Sequence, residues 1–267
     1  MRFFGNNYNK PGPGVSKDEP RKKGVKRFFE LFTRDFADYT KLNLIFCIVL
    51  TPAVVAFVGG SVLLGTAVGF AAGLILAFPV GGALTAYYYY ISKMMRDEPS
   101  YVWFEFKRKF IENYRQAAPI GMLCTGFIFA QVLLWSNVMN LLWMGEVVEE
   151  IIWYFFALLS LFVFMMILPY IFLHFAYVNL GTVQTMKNSI IITFGYLPRS
   201  MMGSIQGGAI WIFIAISFPA SLIAFPLVVL FGISLSMLLS LMWVWPVFDK
   251  CFKVEETLIK RAEDGEV

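Results

Sequence analysis

Side chains able to do chemistry are few in this chain, and their spacing assembles no reaction. His174 is the single histidine among 267 residues. It lies beside Phe172 and Phe175 in an otherwise uncharged stretch, where a lone imidazole serves a hydrogen bond or reaches toward an interface. A metal would need further ligands that this stretch lacks. Glu146, Glu149 and Glu150 are spaced for one helical face; they can hold a cation or form a solvated loop beside Trp143 and Trp153. Cys47, Cys124 and Cys251 suggest no disulfide framework and read as packing residues plus one thiol. Proton relays and charged-substrate paths in membranes need an ionisable residue within the apolar region, and the long apolar stretches here contain no Lys, Arg, Asp or Glu. Gln131, Asn137, Asn140 and Gln206 are the polar residues best placed to line a path, Gln131 and Gln206 above all. The expectation is a protein that is not an enzyme and has no cofactor or metal.

The elements that must position these residues are membrane helices. Uncharged residues run from Leu42 to Ser92, Gln116 to Gly145, Ile151 to Met186 (apart from His174) and Ser200 to Phe248. A spanning helix takes about 20 mostly apolar residues, so the first and last stretches hold two helices each and the middle two hold one each. Spans are expected near Asn43–Gly60, Leu63–Tyr90, Pro119–Leu141, Ile151–Phe172, Ser200–Ser221 and Ala224–Val247. The fold class is all-α: a polytopic membrane protein of six transmembrane helices plus cytoplasmic amphipathic helices. Apolar residues make up 58% of the chain and charged residues 15%, against about 25% charged in soluble proteins.

Charge sets the direction. On this topology the 22 Lys and Arg residues fall on one side: ten before the first span, six from Lys93 to Arg115, Lys187 and Arg199, and four from Lys250 to Arg261. Only Glu146, Glu149 and Glu150 carry charge on the other. Basic residues near span ends mark the cytoplasmic face, so both termini are expected there in a plasma membrane. The partner of this basic band is the lipid bilayer, not nucleic acid. Residues 1–23 read as a flexible tail with no apolar core for a cleaved signal, 24–250 as the membrane domain, and 251–267 as a cytoplasmic tail.

Two cytoplasmic segments are amphipathic. Over 24–41, Val25, Phe28, Phe29, Phe32, Phe36 and Tyr39 form an aromatic stripe, with Glu30, Arg34 and Asp38 as an i,i+4 ladder. This helix either lies in the membrane interface or packs on the cytoplasmic helix ends. Over 100–118, Trp103, Phe106, Phe110 and Tyr114 share one face, and Glu105–Lys109 and Arg108–Glu112 are spaced to pair on the other. Ser100 is the expected cap and Pro119 the first turn of the next span. A shorter analogue at 185–197 ends in Leu197-Pro198-Arg199. Within the second span, small residues recur every fourth position. Gly65, Gly69, Gly73 and Gly81 are the candidate packing positions, for helices of this chain or of a second copy. A period of four drifts against 3.6 residues per turn, so different parts of the row should meet different partners. Pro52, Pro79, Pro169 and Pro219 predict kinks.

Tyr87-Tyr-Tyr-Tyr-Ile-Ser-Lys-Met-Met-Arg-Asp-Glu-Pro-Ser-Tyr101, running into Phe104-Glu-Phe-Lys-Arg-Lys-Phe-Ile-Glu-Asn-Tyr-Arg-Gln116, resembles the YesL family of bacterial membrane proteins. Lys41-Leu-Asn-Leu, Met186-Lys-Asn-Ser189 and Leu197-Pro-Arg199 add to the resemblance, which covers nearly the whole chain. The opening Lys-Pro-Gly-Pro-Gly-Val and Arg27-Phe-Phe-Glu-Leu-Phe are similar to the version found in anaerobic Gram-positive bacteria. The resemblance implies a plasma-membrane protein whose relatives are often encoded beside carbohydrate importers and sugar-degrading enzymes; it implies no catalytic residues. The segment from Lys187 to Arg199 loosely resembles the coupling loops with which importer permeases dock on their ATPases, but lacks the Glu-Ala-Ala start and the Asp-Gly pair. Gly232-Ile-Ser234-Leu lacks the final glycine of intramembrane serine proteases, and His174 precedes the serine, the reverse of that family's order. The leading expectation is a non-enzymatic accessory of carbohydrate uptake, touching permease or ATPase subunits through Lys187, Arg199, Arg108 and Lys109. The alternative is an independent transporter or channel for a neutral small molecule. A homo-oligomer through the second span is the further partner considered.

Overall fold

Away from water the backbone must satisfy its own polar groups, and within one uninterrupted apolar run only a helix does so. The computed structural model describes residues 22, 24–98, 101–144, 147–178, 180–216 and 226–263. Among these it contains no strand. In chain order the helices are α1 (Val25–Arg34), α2 (Phe36–Leu64), α3 (Thr66–Leu76), α4 (Val80–Met95), α5 (Val102–Met144), α6 (Val147–Tyr177), α7 (Thr182–Gly195) and α8 (Leu197–Ile216). A π-helical turn (Val228–Gly232), α9 (Ile233–Phe252) and α10 (Val254–Glu263) follow. Four helices are long and apolar enough to cross a membrane, at Phe36–Leu64, Val102–Asn137, Ile152–Tyr177 and Val229–Phe252. The pair α3 and α4 makes a fifth if its bend of 53° is one broken span.

That bend corrects the expected continuous span Leu63–Tyr90. Leu63 and Leu64 end α2, Gly65 turns the chain at φ 98, and the helix breaks again at Ala77–Phe78–Pro79, as Pro79 foretells. Pro52 and Pro169 sit inside helices that continue through them, and Pro219 lies outside the described residues. The expected span Ser200–Ser221 corresponds to α8 as far as Ile216; residues 217–221 lie outside the described residues. The 1–21 tail lies outside them as well. Within the expected C-terminal tail 251–267, Val254–Glu263 form a helix: Asp249 Oδ1 accepts from the Glu255 N–H at the start of α10 (2.8 Å), and Val254 is buried; residues 264–267 lie outside the described residues.

α4 is the centre of the bundle. It packs against α5, α6, α9 and α2, and Val80–Ser92 and Met94 are all buried. Successive residues of a helix point about 100° apart, so its four consecutive tyrosines serve different neighbours. Tyr87 bonds to α2 and α9, and Tyr88 stacks on Phe172 of α6 (5.9 Å between centroids). Tyr89 meets Arg108 of α5 and Tyr177 of α6, and Tyr90 donates to Asp38 of α2.

Small residues bring α4 and its neighbours close. A Cβ on Gly69 would stand 2.6 Å from the Phe57 carbonyl oxygen; one on Gly73 would stand 2.8 Å from the Phe129 ring and 2.9 Å from Phe57 Cβ. Gly81 lies against the backbone of Ala117 and Gly121. The row thus meets α2 at one end and α5 at the other, all within this chain. Gly65 is the exception to the expected set: it makes the α2–α3 turn, and a Cβ there would touch nothing.

Two segments differ from expectation at their joints. The lead-in helix 24–41 breaks at Asp35 (φ −109, ψ 19) into α1 and the start of α2, so the Glu30–Arg34–Asp38 ladder does not form. Arg34 pairs with Asp35 and Asp97, Glu30 with Arg27 and Lys22, and Asp38 with Lys41. The segment 100–118 and the span after it are one helix, α5, running through Pro119. Proline leaves the carbonyl four residues back without its helical donor, and both Pro119 and Arg115 are exposed, so that carbonyl belongs to an outward face. Ser100 lies outside the described residues.

Candidate functional site

A buried polar centre joins α2, α4 and α9. Asn43 has no exposed surface. Passing from π to α register leaves backbone groups without their usual helical partners, and the Asn43 amide supplies two. Its Nδ2 donates to the Val229 carbonyl, and its Oδ1 accepts from the Ser234 N–H (3.1 Å) and from the Tyr87 hydroxyl (2.9 Å). Ser234 Oγ donates to the Tyr39 carbonyl (2.8 Å) and lies 2.5 Å from the Tyr87 hydroxyl. Above the π-turn, Phe231 packs on Phe32 and Phe36. Every group here is neutral, and Ser234 gives its proton to a carbonyl rather than to a base. The arrangement locks three helices together and activates no nucleophile.

His174 is buried one helix away. Its Nδ1 lies 2.7 Å from the Tyr170 carbonyl and 3.0 Å from Ser189 Oγ, while the edges of Phe248 and Phe252 meet the ring. Since a carbonyl only accepts, the proton sits on Nδ1. Nε2 is buried and has no partner. Among the described residues no group of three or more potential metal ligands forms.

At the end of α4 the sequence Arg96-Asp97-Glu98 is a hub. Arg96 is buried between the rings of Tyr177 (5.3 Å) and Trp245 (5.1 Å); it donates to the Tyr177 hydroxyl (2.6 Å) and pairs with Glu98. Burial opposes its charge, but Tyr177 and Glu98 outweigh burial and raise its pKa. Asp97, held at φ 63, accepts from Arg27 (2.6 Å) and Arg34 (2.5 Å) of α1. The same arginines donate to the carbonyls of Met95 and Met94, which is where a helix C-terminus attracts cations. Partial burial pushes the Asp97 carboxyl up, and the bonds from Arg34 and Arg27 more than reverse this, holding it below the usual carboxylate range. α1 therefore packs on a helix end, with Leu31 inside, while Val25 and Phe29 stay exposed.

The expected contact residues divide. Arg108 and Lys109 are engaged within the chain. Arg108 pairs with Glu105 and donates to Tyr89; Lys109 pairs with Glu112 and lies over the Tyr89 ring. The pairs are i,i+3 rather than the expected i,i+4, because Glu105 turns inward to Lys93 of α4 (2.7 Å). Lys187 and Arg199 are exposed and form no ion pair with any described residue. They border a helix whose polarity is inverted. α7 buries Thr185, Ser189 and Thr193 and exposes Val183, Lys187, Ile190, Ile191 and Phe194. These exposed positions recur at i, i+4, i+7, i+8 and i+11, one helical face.

Gln131 and Gln206 each bond to a different neighbour. Gln131 is buried and donates to Ser160 of α6 (2.7 Å), with its Oε1 unpartnered; Gln206 accepts from Trp243 of α9 (2.8 Å). A partly open pocket of about 20 Å³, room for a single water, lies where Gly203 and Gly207 of α8 meet Ser236 and Ser240 of α9, with Tyr88 and Met165 beside them. Asn137 is exposed; Glu146 and the side chains of Asn140, Glu149 and Glu150 lie outside the described residues.

The Asn43 centre and the Asp97 hub carry no local sequence signal, since the partners lie 186 and 70 residues away. No family model, no curated protein and no solved structure matches this chain.

Proposed function

We propose that this chain is a YesL-like, non-enzymatic accessory protein of the bacterial plasma membrane that docks on an ATP-driven carbohydrate importer. In this reading it crosses the membrane six times, through α2, the broken pair α3–α4, α5, α6, α8 with the residues after it, and the π-turn with α9. Both termini and the basic band are cytoplasmic. The observation that carries the docking role is the exposed face of α7. A helix that turns threonine and serine inward and isoleucine and phenylalanine outward has an apolar surface to cover, and anchors at i, i+3, i+4 and i+7 are what a groove on a partner takes up. Lys187 and Arg199 beside it are free to meet acids on an ATPase subunit, which lies on the cytoplasmic side.

Charge reversal tests this. Lys187→Glu with Arg199→Glu is expected to lower importer-dependent sugar uptake and ATPase co-purification several-fold without changing the amount of protein in the membrane. Unchanged uptake and co-purification would refute the docking role. An independent transporter is the second reading, favoured by the broken α3–α4 pair, since interrupted helices line many transport sites. The engagement of Gln131 and Gln206 by neighbouring side chains keeps it second.

A further inference from the structure

α2 and α5 both pack on α4 but splay from each other, and between them lies an open groove of about 410 Å³. Its walls include Ile45, Ile48 and Val49 from α2 and Phe106 and Phe110 from α5, whose rings stack 6.3 Å apart. That volume is within the range of about 300–1,000 Å³ typical of small-molecule sites. Apart from Lys107 and the indole N–H of Trp103, no hydrogen-bonding side chain lines it, so a polar metabolite would find little to orient it. Lys107 differs from its neighbours in one respect. Arg108 and Lys109 each have an acid, whereas Lys107 pairs with no described residue. Lys41, one turn before Ile45 on the same face of α2, is already paired with Asp38, which leaves Lys107 as the cation of the groove, and Trp103 is exposed there as interfacial tryptophans are.

We propose that this groove binds an anionic phospholipid from the leaflet at the basic end. One acyl chain lies along Phe106 and Phe110, and the phosphate meets Lys107. An apolar channel with an unpaired cation among its lining residues complements both the acyl chain and the phosphate of this ligand. The N-terminal segment 1–21 has Arg2, Lys10, Lys17 and Arg21 against Asp18 and Glu19, and this net positive charge disfavours its settling against Lys107.

Native mass spectrometry of the full chain in mild detergent, with equal phosphatidylglycerol and phosphatidylcholine added, tests this. The wild type is expected to retain phosphatidylglycerol preferentially. Lys107→Gln should cut that preference about fivefold, the effect of one basic residue at an anionic surface, and Ile48→Trp, filling the groove, should abolish retention. Both side chains are exposed, so neither change should unfold the protein. Equal retention of the two lipids, or a preference indifferent to Lys107→Gln, overturns the proposal. So does increased lipid binding on deleting residues 1–21, which would make the tail the occupant, or loss of a dimer in Ile48→Trp, which would make it a second copy.

Discussion

Asp97 shows how one side chain couples two elements. Its carboxylate receives Arg27 and Arg34, and its native pKa lies below the ordinary carboxyl value of about 3.9. A depressed pKa means that the contribution to stability is complete above that ordinary value and is lost as pH falls through the native one. α1 should therefore remain docked at pH 7 and loosen below about pH 4, as read from the mobility of a spin label on the exposed Val25. Asp97→Asn should loosen α1 at all pH values, by roughly 1 kcal/mol for pairs a third exposed and screened by solvent. Asparagine suits the test because it tolerates the left-handed conformation. An undiminished pH dependence in that variant would assign the effect to another group. The sequence marks Arg27 and Arg34 as basic residues beside an aromatic stripe, but not their target, because Asp97 lies 70 residues from Arg27. Asn43 was less legible still. Its partner is a backbone carbonyl 186 residues away, in a π-turn that no residue pattern announces.

At the scale of elements, apolar patterning located the helices and misplaced their joints. Hydrophobicity and charge change abruptly at Leu42 and Phe248, yet the helices run past these points, from Phe36 at one end and to Phe252 at the other. Pro119 suggested a helix start and Asp35 suggested nothing. Whether a helix continues through a proline depends on what the freed carbonyl faces, and that is set by tertiary packing. The small-residue row was readable as packing, and its division between α2 and α5 follows from the drift of a four-residue period. Gly81→Ala should be destabilising by about 1–3 kcal/mol or more, because the new methyl meets the Ala117 backbone, which cannot rotate away. Gly208→Ala, with nothing near its Cβ, should be neutral or slightly stabilising. Thermal unfolding of both variants in one detergent checks the contrast. Equal melting temperatures would mean that the α4–α5 contact is looser than the structure has it.

At the scale of the whole molecule, three features bear on function: a central helix buried on all sides, a hub that gathers α1, α6 and α9 at its end, and one helix, α7, that turns its apolar side out. The amino-acid pattern of α7 concealed this inversion. Thr185, Ser189 and Thr193 are polar residues spaced along one helical face, yet they are buried beside α6, where Ser189 meets His174. A photo-crosslinker at Ile191, activated in native membranes and followed by mass spectrometry of the adducts, tests the docking role most directly. If α7 docks on an importer, adducts form with its ATPase or permease subunits and are lost in the Lys187→Glu, Arg199→Glu variant. Adducts with lipid alone would mean that α7 rests its apolar face in the membrane, contradicting the docking role.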